Sequence, residues 1–219
     1  MKTVLSLTLL SLLAASSRAA TVTYTSPGPH NLHDGAAFFA LTIDVSGLVE
    51  PIAGITVTFS DLFHPHPADM DALLVGPAGQ NVMLMSDVGE LLSEADSSID
   101  QVNLTFGDGG PLLPSNVRIT SGTYAPTNYV GVFEEIGEMD QNTPAMPPVG
   151  PYGTTLSVFN GSNPNGTWKL FIQDDQDDES GELQSWSLTV TTVPEPNSAF
   201  LLLVGASALL FRRRPVRIN

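Results

Sequence analysis

The 219-residue sequence contains no cysteine. Thiol nucleophiles, disulfides and zinc sites built on thiolates are excluded, so a fold of this chain rests on its core, alone or with a bound metal. Basic residues are scarce and unevenly placed. Of eight lysines and arginines only Arg118 and Lys169 fall between Ala20 and Thr192, against 22 of the 23 acidic residues, which gives that stretch a formal charge of −20. Such a surface repels nucleic acid and anionic lipid; its natural partners are cations, above all calcium outside the cell, or neutral ligands such as glycans, and solubility alone would also account for it. Helical periodicity is missing as well, since no window of a dozen residues carries an apolar stripe at the 3.6-residue spacing.

The two ends differ from the middle. Lys2 precedes an apolar run from Val4 to Ala15, and Ser17-Arg18-Ala19 then puts small residues where a signal peptidase reads, which predicts a signal peptide over residues 1–19 cut after Ala19. At the other end Val193-Pro194-Glu195-Pro196 leads into an apolar stretch from Ser198 to Phe211 and then into Arg212, Arg213, Arg214 and Arg217. Arginines just past an apolar segment hold the C-terminus on the cytoplasmic side, so the preceding chain is expected across the membrane. The stretch has 14 residues, short of the roughly 20 that span hydrocarbon comfortably, which points to a transient rather than a permanent anchor.

Between these ends lie 173 residues, Ala20 to Thr192, enough for one domain with a real core. Apolar residues recur at every second position in Phe39 to Val45, Ile55 to Ser60, Val102 to Phe106, Trp168 to Ile172 and Trp186 to Val190. Shorter strands are expected at Leu73 to Val75, Val82 to Met85 and Val117 to Thr120, about eight in all. Turn signals separate them: Gly76-Pro77, Gly107-Asp108-Gly109-Gly110, Asn160-Gly161 and Asn165-Gly166. Many short strands without βα alternation predict an all-β fold, an antiparallel sandwich or jelly roll. The segment Glu134 to Gly153, with four prolines in 20 residues, is expected to be a long loop.

Two resemblances add to this reading. Pro194-Glu195-Pro196, the apolar helix and the terminal arginines, over Val193 to about Pro215, resemble the PEP-CTERM sorting signal. That resemblance implies a tail, residues 193–219, processed by the membrane protease exosortase, with the domain passed on to the envelope or the exterior. Asn165-Gly166-Thr167-Trp168-Lys169-Leu170, followed by Gly181-Glu182-Leu183-Gln184-Ser185-Trp186-Ser187-Leu188, resembles the end of the proprotein-convertase P domain, or Homo B domain. Ile55-Thr56-Val57-Thr58-Phe59, His64, Asp69-Met70-Asp71 and Gly76-Pro77-Ala78-Gly79 are similar to an earlier part of it. This second resemblance covers roughly Thr21 to Thr192 and implies a jelly-roll, galactose-binding-like sandwich of the kind that sits beside a subtilisin-like protease domain and stabilises it. No serine here stands in Gly-x-Ser-x-Gly or in a subtilisin-like Gly-Thr-Ser context, and the sandwich consumes the length, so no enzyme is expected.

Asp174, Asp175, Asp177, Asp178, Glu179 and Glu182 put six carboxylates in nine residues at a hairpin. They repel one another unless a cation intervenes, and calcium takes six to eight oxygens from such a loop, with Asp174, Asp177 and Asp178 as first ligands. The spacing is not that of an EF-hand. His64, His66, Asp69 and Asp71 have the composition of a metal cluster, but Pro65 and Pro67 hold the histidines in an extended segment, and the resemblance makes His64 and Asp69 a loop-anchoring pair. Asp69 and Asp71 are kept as further calcium ligands, Asp71 with Asp87. Trp168 and Trp186 sit on the apolar side of their strands and are expected in the core. The expected function is an exported, non-catalytic binding or structural module that meets signal peptidase and exosortase on its way out, then an extracellular protein or polysaccharide. The alternatives are an accessory to a separately encoded protease and a polysaccharide-binding jelly roll using Phe171, Tyr124 or Tyr129.

Overall fold

Burial in alternate positions organises the middle of the chain. From Gly181 to Thr192 the side chains of Leu183, Trp186, Leu188 and Val190 are buried, and from Ile52 to His64 those of Ile55, Val57, Phe59 and Leu62 are buried against them. A computed structural model of the chain describes residues 19–32, 39–89, 94–129, 147–174 and 179–193. Ten strands run through them: β1 (Thr21–Leu32), β2 (Phe39–Val45), β3 (Ile52–His64), β4 (Met70–Val75), β5 (Asn81–Ser86), β6 (Ile99–Phe106), β7 (Gly122–Tyr124), β8 (Thr127–Asn128), β9 (Gly166–Asp174) and β10 (Gly181–Thr192). One four-residue helix, α1 (Glu94–Ser97), and two 3₁₀ turns, Pro67–Asp69 and Leu156–Phe159, complete the regular structure of the described residues. The expected signal peptide, the Pro-Glu-Pro motif with its apolar stretch and arginines, and most of the proline-rich loop lie outside the described residues.

The strands form a two-sheet β-sandwich. The first sheet runs β1-β10-β3-β6-β7 and the second β2-β9-β4-β5-β8. Pairing is antiparallel except for β6 with β7 and β5 with β8, which run parallel. These two short strands depart from the expected all-antiparallel arrangement, because the connection after Phe106 doubles back and lays β7 and β8 along the free edges of β6 and β5. Val117 to Thr120, expected as a strand, is irregular: Ile119 is buried there while Val117 points to solvent. β1, which the alternation did not single out, is an edge strand whose Val22, Tyr24 and Ser26 are only half-buried.

The core between the sheets holds Trp168 and Trp186, both fully buried as expected, with Phe59 edge-on to Phe106 at 5.1 Å and Phe159 tilted against Trp168 at 4.9 Å. Each such side chain contributes about 1.5–3 kcal/mol by leaving water. Trp168 donates its indole N–H to the carbonyl of Pro164 at 2.9 Å. Asp108, at the turn after β6, accepts the N–H groups of Leu156 and Ser157 at 2.6 and 2.8 Å and so caps the second 3₁₀ turn from a distant loop.

The outer faces of the two sheets differ sharply. Leu73, Met83 and Phe171 on the second sheet are covered in part by Tyr152, whose segment is pinned by Met83 N–H to Gly153 O at 3.0 Å. With both faces dry, β4 and β5 are buried almost throughout, which is why they read as continuous apolar runs. Among the described residues the first sheet has no such cover over its hydroxyl rows. Thr25, Ser187, Thr58, Thr105 and Thr123 are successive ladder partners across all five strands, and none of these positions is buried. Neighbouring hydroxyls bond to one another, Thr23 to Thr189 at 2.8 Å and Thr58 to Thr105 at 3.0 Å.

Candidate functional site

β3 of the first sheet ends at His64, and the chain crosses to the second sheet through Pro65, His66 and the 3₁₀ turn. Proline at Pro67 suits the first position of that turn, where no backbone N–H is needed. His64 Nδ1 accepts the backbone N–H of His66 at 3.1 Å. Its lone pair is thereby used, so the neutral tautomer that satisfies both nitrogens carries its proton on Nε2 and donates it to Asp174 Oδ2, also at 3.1 Å. The two side chains are 0 and 1% exposed. Because Asp174 closes β9 in the second sheet, this bond ties the sheets together at one corner. Gly181, the first residue of β10, lies so close that a Cβ there would strike the His64 ring and come within 2.6 Å of the Phe63 carbonyl. The glycine is required by this close approach.

A second pair stands beside the first. His66 Nδ1 bonds Asp69 Oδ2 at 3.1 Å, within one turn. Burial raises the Asp69 carboxyl above the ordinary 3.8; the neighbouring His66 pulls it down and the Asp174 charge pushes it up again. The expected partner of His64 was Asp69; the structure gives His64 to Asp174 and Asp69 to His66, since only the end of β9 reaches the buried side of the corner. An imidazole oriented by a carboxylate is half of a general-base dyad. At His64 one ring nitrogen faces the carboxylate, the other faces backbone, and the ring is sealed, so that ring has no lone pair to offer a substrate. The arrangement is a clamp.

The remaining expected site residues are scattered. Asp71 is buried opposite Gln173 in the β4 and β9 ladder. Asp87 has a left-handed backbone, φ 55°, and accepts the Ser86 hydroxyl at 2.7 Å. Asp177 and Asp178 lie outside the described residues, as do Pro194, Glu195, Pro196, Arg212, Arg213 and Arg214; Ala19 is exposed at the start of the described chain. Among the described residues no three histidine, aspartate or glutamate side chains gather as a metal-holding group. The expected sugar platforms are not open ring faces: Phe171 is on the outer face of the second sheet but only 4% exposed, against Leu73, Met83 and Tyr152, while Tyr124 and Tyr129 are half-buried against the core and donate their hydroxyls to Thr120 O and Leu113 O.

One feature escaped the sequence reading. On the outer face of the first sheet, beyond the hydroxyl rows, an open cavity of about 410 Å³ is lined by Asp61, Phe63, Asp100, Gln101, Glu182 and Gln184. Its walls come from irregular ladders in β3 and β6, where Asp61 and Gln101 take left-handed backbones, φ 49° and 52°. The signal was there in the spacing. Phe59 and Leu62 both point inward three residues apart, which breaks period two and turns Phe63 out to 38% exposure.

Comparison with known proteins supports one part of the chain. The sequence model of the proprotein convertase P-domain family matches residues 149–190, which contain the second 3₁₀ turn, β9 and all but the last two residues of β10. No curated protein matches the sequence. Among solved structures, the serine protease of Aeromonas sobria overlaps 81% of this chain and 28% of its own at 16% identity and a TM-score of 0.44. The complex of that protease with the chaperone ORF2 gives 83%, 28%, 16% and 0.44, and the FlhE structure gives 80%, 98%, 9% and 0.40. The chain thus spans 28% of the length of the two Aeromonas structures. Overlaps this loose carry no functional weight.

Two outcomes follow from the clamp. Asp174→Ala leaves the His64 Nε2–H buried without an acceptor and should lower unfolding stability by about 2–3 kcal/mol, whereas Asp174→Asn, which keeps an acceptor, should lose less; equal losses in urea titrations would refute the bond's role. For Asp69 the sign runs the other way from an ordinary paired carboxylate. Its folded value is raised, so the folded chain holds that proton more tightly than the unfolded chain, and its stabilising contribution is full below the ordinary value and declines as pH rises through the folded one. The stability of the natural chain relative to Asp69→Asn should therefore fall as pH rises through the carboxylate range, and a difference that grows with pH would contradict this.

Proposed function

We propose that this chain is an exported, non-catalytic binding or structural module of P-domain type, sorted by an exosortase to the cell envelope or extracellular matrix. The observation that carries the non-catalytic reading is the sealed His64–Asp174 pair, whose ring nitrogens are both spent on structure. The match of residues 149–190 to the proprotein convertase P-domain supports the family assignment. Strand orders β1-β10-β3-β6 and β2-β9-β4-β5 within the two sheets support a jelly roll, the double-sheet, two-Greek-key arrangement implied by the resemblance. Export and sorting rest on the sequence of the two ends. Purified chain should not hydrolyse peptides, and replacing Pro194, Glu195 and Pro196 by alanine should leave the tail uncut in the native host. Hydrolysis abolished by changing one serine, or normal tail processing in the alanine variant, would overturn the reading.

The same family match favours a second reading, support of a separately encoded subtilisin-like serine protease. Co-purification of such a protease with the chain separates it from the first.

Calcium at the acidic segment between β9 and β10 belongs to the first reading. That segment was expected at a hairpin, but β9 and β10 lie in different sheets, so it joins one sheet to the other. Asp174 ends β9 at its start with one oxygen already on His64, so the other ligands would come from Asp177 and Asp178. Oxygen-only donors suit this ion. Calcium should raise the melting temperature and a chelator lower it; an unchanged transition would remove calcium from the proposal.

A further inference from the structure

We infer that the cavity around Phe63 and the hydroxyl rows leading from it form a binding surface for a neutral polysaccharide chain. This deepens the reading of the chain as a binding module and rests on it. The cavity combines three kinds of group that sugars require together. Asp61, Asp100 and Glu182 are carboxylates, each able to accept two hydroxyl protons; Gln101 and Gln184 offer amide donors and acceptors; Phe63 offers an apolar ring face to the C–H side of a pyranose. Phe63 lies opposite Glu182 in the β3 and β10 ladder, and Gln184 donates to the Glu182 carboxylate, so platform and polar groups form one preset wall.

The fold keeps this wall open at a local cost. Asp61 and Gln101 are non-glycine residues in the left-handed region, and the Asp61 N–H is anchored by Asn103 Oδ1 at 3.0 Å. Regular pairing would leave these two strands in simple alternation, with no step in the sheet. Along β3 and β10 the register then leads from the cavity through Ser60 and Ser185 to the row of Thr58 and Ser187, and on to Thr56 and Thr189. These rows bear no charge in a domain with a formal charge of −20. From Glu182 to Thr191 the path is about 30 Å at ~3.3 Å per residue, long enough for an extended ligand. The charge excludes anionic ligands, and the uncharged rows favour a neutral ligand over a cationic one. Three carboxylates repel uronic-acid, sulfated or phosphorylated polymers, while an uncharged glycan meets hydroxyl, amide and carboxylate partners without that penalty.

The test uses the purified full-length chain and neutral hexasaccharides of glucose, mannose, xylose and N-acetylglucosamine, with an arginine hexapeptide as the competing cationic probe, all titrated by calorimetry. Saturable binding of at least one hexasaccharide is expected, weakened about tenfold or more by Phe63→Ala and left unchanged by Val49→Ala, a control at an exposed apolar position elsewhere. If Phe63→Ala melts abnormally, Gln101→Ala gives the second reading of the same surface and should also weaken binding. Binding of the peptide alone, binding of neither probe, or sugar binding that folded Phe63→Ala and Gln101→Ala both retain would each overturn the proposal. None of these failures touches the non-catalytic reading, which peptide hydrolysis and tail processing test separately.

Discussion

The structure depends on one constraint: strands β3 and β10 must each keep one side dry. They are the central ladder of the first sheet, and their inward side chains, Phe59 and Leu62 from one, Trp186 and Leu188 from the other, build much of the floor on which the second sheet rests. Everything else in the domain closes that interior. β1 and β6 extend the floor on either side, β9 brings Trp168 and Leu170 down from above, and Asp108 holds a distant turn so that Phe159 can fill the gap beside Trp168.

A dry interior raises the question of what polar groups can be taken into it. His64 and Asp174 answer it by mutual satisfaction: one ring nitrogen serves the backbone of the crossing segment and the other serves the carboxylate of the opposite sheet. Breaking such a pair from one side leaves a buried group unpaired, which costs more than the bond itself contributes. The pair therefore fixes how the two sheets meet at the corner. Gly181 is part of the same device, because any side chain at the start of β10 would displace the histidine.

The strands with apolar residues at every second position were legible from the sequence because period two is a direct consequence of a half-buried sheet. β2, β3, β6, β9 and β10 all announce themselves in this way. β7 and β8 did not, being three and two residues long and held by their neighbours rather than by any pattern of their own. The composition of the His64 corner was visible too, but its pairing was not. Which carboxylate meets which imidazole depends on where β9 ends relative to β3, a register across two sheets that no local spacing encodes. The cavity at Phe63 lay between these cases: the break from Phe59 to Leu62 marks a bulge, but only the folded sheet shows that β6 bulges beside it.

The asymmetry between the outer faces carries the functional argument furthest. A sandwich needs only its interior to be stable, so covering a second face is an addition, and the second sheet has one in the segment that carries Tyr152. Among the described residues nothing covers the hydroxyl rows of the first sheet, whose side chains are too short and too alike to be needed for packing. Charges are the usual means of keeping an exposed sheet soluble and unpaired, and this chain has acidic residues in excess, yet none falls on the rows from Ser60 to Thr56 or from Ser185 to Thr191. Among the described residues, the carboxylates Asp61, Asp100 and Glu182 are gathered at its far end, around the outward-pointing ring of Phe63. Solubility would be served as well by any distribution of the same charge. Segregation into a charged, aromatic-bearing cavity and an uncharged flat approach serves contact with something long and neutral.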